Sequence, residues 1–391
     1  MLTHYRRRGR IVEPGRSPSI CIAESRTLSA PRRVLHLCDN RDGVAEGIAA
    51  LSQAAGSDAW QPTVAVLGRL NERELLQAAG LEIVELAGRG HFDPLMLGRL
   101  AQLLRRERPA AIHAWGLPAL MAAQLTRPRS GQMPLIATLD LRDSLPAWSG
   151  RLLRSLAPKL GSLVVADEPT QQWATNVTNA ATQIQILPTP VMPLPEPPEA
   201  RESALARWGF PPDARVIATA APLEPIARFD EAIWCYELVR VIHPSARLLI
   251  VGTGSDGARL ERFARQVSEP ACVAIVPEIR TELAAAIVFA DAYWQLGPST
   301  AAPRGLLHAM RAGKPIVACD AAVHAAAAGS GETMMLTLQD SRAAAGRATD
   351  DFFNDPQLAA QWGTAAAQGA ATRFDAATLA AQLQAIYDHA T

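Results

Sequence analysis

The chain has 391 residues, 49% hydrophobic and 19% charged, with 38 basic side chains balanced by 38 acidic ones. At roughly 150 residues per domain this length predicts two or three domains, each able to bury its own core, and the composition excludes collagen, coiled coil and wholesale disorder. No run of about 18 apolar residues exists, so no membrane-spanning helix is expected. The five cysteines, Cys21, Cys38, Cys235, Cys272 and Cys319, are scattered, odd in number and without a C-x-x-C spacing. That fits neither a zinc site nor a disulfide scaffold, and it implies a reducing, cytoplasmic setting.

The charge balance hides an asymmetry. Residues 1–33 hold eight arginines against Glu13 and Glu24, a net of +6. Basic arms of this kind can bind nucleic acid or anionic lipid. Here the arm is rich in Arg, Ser and Pro with no apolar period, and the simpler expectation for residues 1–32 is a disordered, dispensable leader. It lacks the apolar stretch of a secretory signal.

From residue 33 the pattern changes. The apolar run 34–38 opens into Asp39-Asn40-Arg41-Asp42-Gly43 and then a helical stretch, AEGIAALSQAA. Strands are expected at 63–68, 81–86, 110–115, 134–139 and 162–167, with helices between them, including an amphipathic helix over 94–109 that Pro109 stops. Apolar strands alternating with helices predict a parallel sheet covered on both faces. Six prolines within residues 188–198 mark a stiff linker. A second alternating pattern follows: strands at 215–221, 247–254, 272–277, 291–296 and 315–320, helices between them, and a helical end from Asp350 to Ala390. The expected organisation is an arm (1–32), a first Rossmann-like domain (33–187), a linker (188–212), a second Rossmann-like domain (213–360) and helices crossing back to the first (361–391). Two such halves place a ligand cleft where the carboxyl ends of both sheets meet. Trp234, Trp294 and Trp362 are expected in the core.

The order of these pieces resembles the GT-B fold, and in particular the retaining family-4 glycosyltransferases (glycosyl transferases group 1). The segment Leu307-His308-Ala309-Met310-Arg311-Ala312-Gly313-Lys314-Pro315-Ile316-Val317-Ala318 is similar to the family's L-E-A-M-A-x-G-x-P-V-V-A. Leu249 to Gly254, Phe374-Asp375, Ile386-Tyr387, Gly43-Val44-Ala45-Glu46 (similar to G-G-x-E), Arg105 to Pro109 and Ile112-His113 support it in order and spacing. The resemblance implies two Rossmann-like domains, a nucleotide diphosphate sugar as substrate, no resident cofactor and no bound metal. The family's functional text is largely replaced. Thr300 and His308 stand at the E-x7-E positions, Pro222 and Ala227 where an Arg and a Lys would neutralise the diphosphate, Asp140 at the acceptor-domain histidine, and Thr189-Pro190 at an N-G pair.

A donor diphosphate needs compensating charge and backbone donors. The helix start at Ser299-Thr300-Ala301-Ala302-Pro303-Arg304-Gly305 offers both, with Ser299 or Thr300 as cap and Arg304 and Arg228 as replacement cations; surface arginines beside a plain cap are the competing reading. His308 could bond a hydroxyl or phosphate, or serve as a structural histidine. Gly252 and Gly254 form a glycine turn that does not read G-x-G-x-x-G, so nicotinamide binding is not expected. On the acceptor side stand Gly43, His113 and Asp140, the last able to act as base or sugar ligand or to pair with nearby loop charges.

The expected activity is transfer of a hexose from a nucleotide diphosphate sugar to an acceptor hydroxyl with retention, the acceptor being a glycan or lipid-linked, in polysaccharide biosynthesis. The setting expected is cytoplasmic, with room for peripheral contact at the inner membrane face and no specific nucleic-acid partner. The alternative is a GT-B pseudoenzyme acting as a binding or scaffold subunit in glycan assembly. A GT-B epimerase finds no support in the residues.

Overall fold

A computed structural model of the chain describes residues 31–391 apart from 40–42, 57–58, 71, 89–92, 129–132, 140–146, 179–181, 298–303, 330–331 and 339–340. The first domain is built on β1 (Arg32–Cys38), β2 (Trp60–Val66), β3 (Glu82–Glu85), β4 (Ala111–Trp115), β5 (Leu135–Leu139), β6 (Ser162–Val165) and β7 (Ile184–Ile186). They pair in the order β3-β2-β1-β4-β5-β6-β7, every neighbour parallel. Parallel neighbours require crossovers, supplied by α1 (Val44–Ala55), α2 (Arg73–Ala78), α3 (Pro94–Glu107), α4 (Leu117–Thr126), α5 (Ala147–Leu156) and α6 (Glu168–Thr178). The central strands are mostly apolar because helices cover both faces; β4 and β5 are buried at every position, His113 and Thr138 being their polar members. Local chemistry sets the helix ends. The Asp93 carboxylate accepts the Leu95 amide at 2.9 Å, Pro94 occupies the first turn, and Arg108 closes α3 in the left-handed region.

The second domain contains α7 (Arg201–Arg207), β8 (Arg215–Ala220), α8 (Phe229–Ile242), β9 (Ala246–Val251), α9 (Gly257–Val267), β10 (Val273–Val276), α10 (Arg280–Phe289), β11 (Ala292–Gln295), α11 (Arg304–Arg311), β12 (Ile316–Cys319), α12 (Ala322–Ala328), β13 (Met335–Thr337), α13 (Arg342–Asn354) and α14 (Pro356–Arg373). Its sheet runs β10-β9-β8-β11-β12-β13, again parallel throughout. The last helix, α15 (Ala376–Ala390), leaves this domain and packs on α1, burying Leu379, Leu383, Ile386 and Tyr387 among Val34, Ile48, Leu51 and Trp60.

Three boundaries differ from the sequence reading. β1 already includes Arg32, because its backbone pairs with Trp60. The linker is extended only through its prolines: α7 and the residues after it belong to the second domain, where Ala204, Leu205, Trp208 and Phe210 enter its core and Glu282 of α10 accepts from both Arg207 and the Trp208 indole. Of the C-terminal helices, α14 stays on the second domain against α11, and only α15 returns to the first. The arm, residues 1–30, lies outside the described residues. Trp294 is fully buried, but Trp234 is 41% exposed; it lies on the outer face of α8, edge-on to Phe263 and beneath the Arg342 guanidinium.

Candidate functional site

The carboxyl ends of both sheets face one another across a cleft of about 740 Å³. Gly43, at the turn from β1 into α1, and the β6–α6 turn line it from the first domain; Thr189 and Val191 of the linker close one side; Arg304, Leu307 and α12 line it from the second. Gly43 has φ 78° and caps α1, a conformation glycine adopts without steric cost. Asp167 caps α6 through the Thr170 amide and hydroxyl at 2.8 and 2.5 Å.

Beside this cleft lies a buried ionic cluster that joins the two domains. Its centre is Glu46 in the first turn of α1, 0% exposed. One oxygen accepts from Arg280 at 2.7 Å and from the Met192 amide at 3.1 Å; the other lies 3.3 Å from Arg304. His308 Nε2 faces the carboxylate at 3.3 Å without hydrogen-bond geometry. The Arg304 guanidinium also reaches Glu72 of the first domain at 2.5 Å and Glu278 of the second at 2.7 Å. Burial pushes the Glu46 carboxyl up, but His308, Arg304 and Arg280 outweigh it and hold it at about 2, so it is ionised. Burial lowers His308, and the neighbouring Glu46 carboxylate offsets part of that.

The expected site residues separate. Gly43 and Arg304 face the cleft, and His308 sits behind Arg304 against Glu46. Arg228 does not join Arg304: it is left-handed at the start of α8, 3.7 Å from Glu231, and lines a small pocket with Ser341 and Arg342. The glycines Gly252 and Gly254 are required by packing, since a Cβ on either would meet the backbone at Ala221 or Leu223. Gly305 likewise lets α11 lie on the Ala220 carbonyl and the Tyr293 hydroxyl. His113 is not at the cleft but in the core beneath α15, fully buried between Tyr387 and Thr138. Asp140, Ser299 and Thr300 lie outside the described residues. Sequence reasoning assigned no role to Glu46, Glu72, Glu278 or Arg280; Arg304, His308 and the Gly43-to-Glu46 motif were the signals that fell on the cluster. Among the described residues no group of three or more His, Cys, Asp or Glu could hold a metal ion, and no helix is long and apolar enough to cross a membrane.

Residues 200–369 match the family model for glycosyl transferases group 1. Solved structures with the same architecture include HepE of Anabaena, determined with UDP and glucose, at a TM-score of 0.75 and 16% identity over 90% of this chain and 98% of that one. A glycosyltransferase from Rickettsia africae gives 0.74 at 12% identity over 93% and 99%. Sucrose-phosphate synthase from Thermosynechococcus elongatus gives 0.72 at 14% over 91% and 98%. No curated protein matches the chain by sequence. The chain has the GT-B fold, and its match to the glycosyl transferases group 1 model lies in the second domain and the end of the linker.

Proposed function

We propose that this GT-B protein, with its match to the glycosyl transferases group 1 model, transfers a sugar from a nucleoside diphosphate sugar to an acceptor hydroxyl. The observation that carries the reading is the family match over residues 200–369, the half whose α11 begins at the cleft with Arg304. The donor belongs to the second domain, the acceptor to the first. In the retaining reaction we propose, the bond from the anomeric carbon to the leaving phosphate breaks while the acceptor oxygen bonds that carbon on the same face. The hydroxyl proton passes to the departing phosphate. The chain's task is then electrostatic, holding the diphosphate against fixed positive groups and the N-terminus of α11. The sugar transferred is read as a hexose, the acceptor as a glycan or lipid-linked sugar, and the setting as the cytoplasm or the inner membrane face. The nucleotide sugar is a substrate, and no resident cofactor or metal is invoked.

One observation favours the pseudoenzyme alternative: Arg304 is already held by three carboxylates. Calorimetry with uridine, guanosine and adenosine diphosphates tests the main reading. Binding of one of them, followed by product formation with its sugar conjugates, supports transfer. Binding without turnover supports the pseudoenzyme, and no binding at about 1 mM, a free energy weaker than about −4 kcal/mol, overturns the reading.

A further inference from the structure

Among the described residues the interdomain cluster sets two arginines, Arg280 and Arg304, against three carboxylates, Glu46, Glu72 and Glu278. The carboxylates do not all belong to one domain. Glu46 and Glu72 come from the first, whereas both arginines and Glu278 come from the second. Parting the domains therefore takes the Glu46 and Glu72 carboxylates away from Arg280 and Arg304, which stay on the second domain with Glu278.

We infer that Glu46 is an internal competitor for the donor: its carboxylate fills an anion seat formed by Arg280 and Arg304, and a diphosphate binds there only by displacing it. The inference rests on the nucleotide-sugar reading and adds the residue that decides which donor the site accepts. Glu46 is built as an occupant. It is fully buried, bonds Arg280 and faces Arg304, is anchored by the Met192 amide, and has a histidine on its remaining side. A buried charge so paired is displaced only by a ligand that gives both arginines an equal or better partner. A diphosphate spans two cations with two charged groups, and a monophosphate has only one to share between them. The seat thus selects diphosphate-linked donors over monophosphate-linked ones, and couples their binding to separation of α1 from α11.

The test is calorimetry on the full chain with inorganic pyrophosphate, with the three nucleoside diphosphates, and with the matching monophosphates. It compares wild type with Glu46→Gln, which keeps the shape and removes the charge. Pyrophosphate and the preferred diphosphate should bind Glu46→Gln at least about tenfold more tightly, with a smaller gain for the monophosphate. Glu72→Gln, whose carboxylate is more exposed and bonds Arg304 at 2.5 Å, serves as second variant should the first fold poorly; it should show a smaller gain in the same direction. Equal affinity of wild type and both variants for a diphosphate that does bind overturns the inference and leaves the transferase reading standing. Tighter pyrophosphate binding in the variants, with no gain from any nucleoside, supports the seat and removes the transferase reading. Failure of every probe to bind any of the three proteins removes both.

Discussion

His113 Nδ1, on β4, lies 2.8 Å from the hydroxyl of Tyr387 on α15, a residue 274 positions further along the chain. This contact joins the last helix to the first sheet inside an aromatic cluster. His113 stacks on Trp115 at 4.6 Å, and the Trp115 indole donates to His36 Nδ1 at 2.9 Å, which places the His36 proton on Nε2. The ring that sequence position had put on the acceptor side therefore has both nitrogens occupied by protein.

Tyr387→Phe should keep the packing of α15 and orphan one buried nitrogen. The expected loss is about 1–3 kcal/mol, read as a lower denaturant midpoint with an unchanged slope. Removing residues 376–391 should do far more. It takes away Leu379, Leu383 and Ile386 together and uncovers Val34, Ile48, Leu51 and Trp60 beneath them, each large apolar side chain so exposed costing about 1.5–3 kcal/mol, and the truncated chain should aggregate in size-exclusion chromatography.

Stability should fall in mild acid, in two stages. Burial lowers His36 to about 3, and burial together with His36 lowers His113, so the folded state keeps both neutral while the unfolded state takes up protons below about 6.5. Their stabilising effect is complete above the unfolded value and is lost as pH falls from there toward 3. Glu46, held at about 2, adds a second loss below its ordinary value of 4.5. Denaturant midpoints at pH 7.5, 5.5 and 4.0 should decrease in that order; a midpoint constant from 7.5 to 5.5 would contradict burial of the histidines.

The two arginines expected to share a phosphate should behave differently. Arg304→Ala leaves Glu46, Glu72 and Glu278 without their common partner; removing one member of a buried ionic group costs about 3–5 kcal/mol. Arg228, partly exposed and 3.7 Å from Glu231, should cost about 0–1 kcal/mol as Ala. Thermal unfolding of the two variants side by side measures the contrast.

Gly254→Ala should destabilise by about 1–3 kcal/mol, because the new methyl meets the Leu223 backbone, which cannot move aside as a flexible side chain could. If the glycine served a ligand instead, the variant would keep its melting temperature and lose nucleotide binding, a result that calorimetry and a thermal melt together would reveal.

The two sheets were legible because a parallel strand buried on both faces must be mostly apolar, a local property; β4, β5 and β9, each with one polar residue, stand out for that reason. The proline run, the glycine-capped helix before β12 and the amphipathic final helix were local signals as well, and they sufficed for the family resemblance. The use of the charged residues was not local. Glu46, Glu72, Glu278, Arg280 and Arg304 come from turns and helix starts of both domains, and nothing near Arg304 in the chain tells a phosphate-binding arginine from one held by three carboxylates. His113 was placed at the cleft because it lies near a strand's carboxyl end, but the return of α15 covers that face. Trp234 was assigned to the core from helical spacing, though its side of α8 stays open. Periodicity and caps are set by neighbours within a few positions. Which charges pair, and which faces are covered, depends on how the two sheets and the last helix come together, and that was decided only in the tertiary structure.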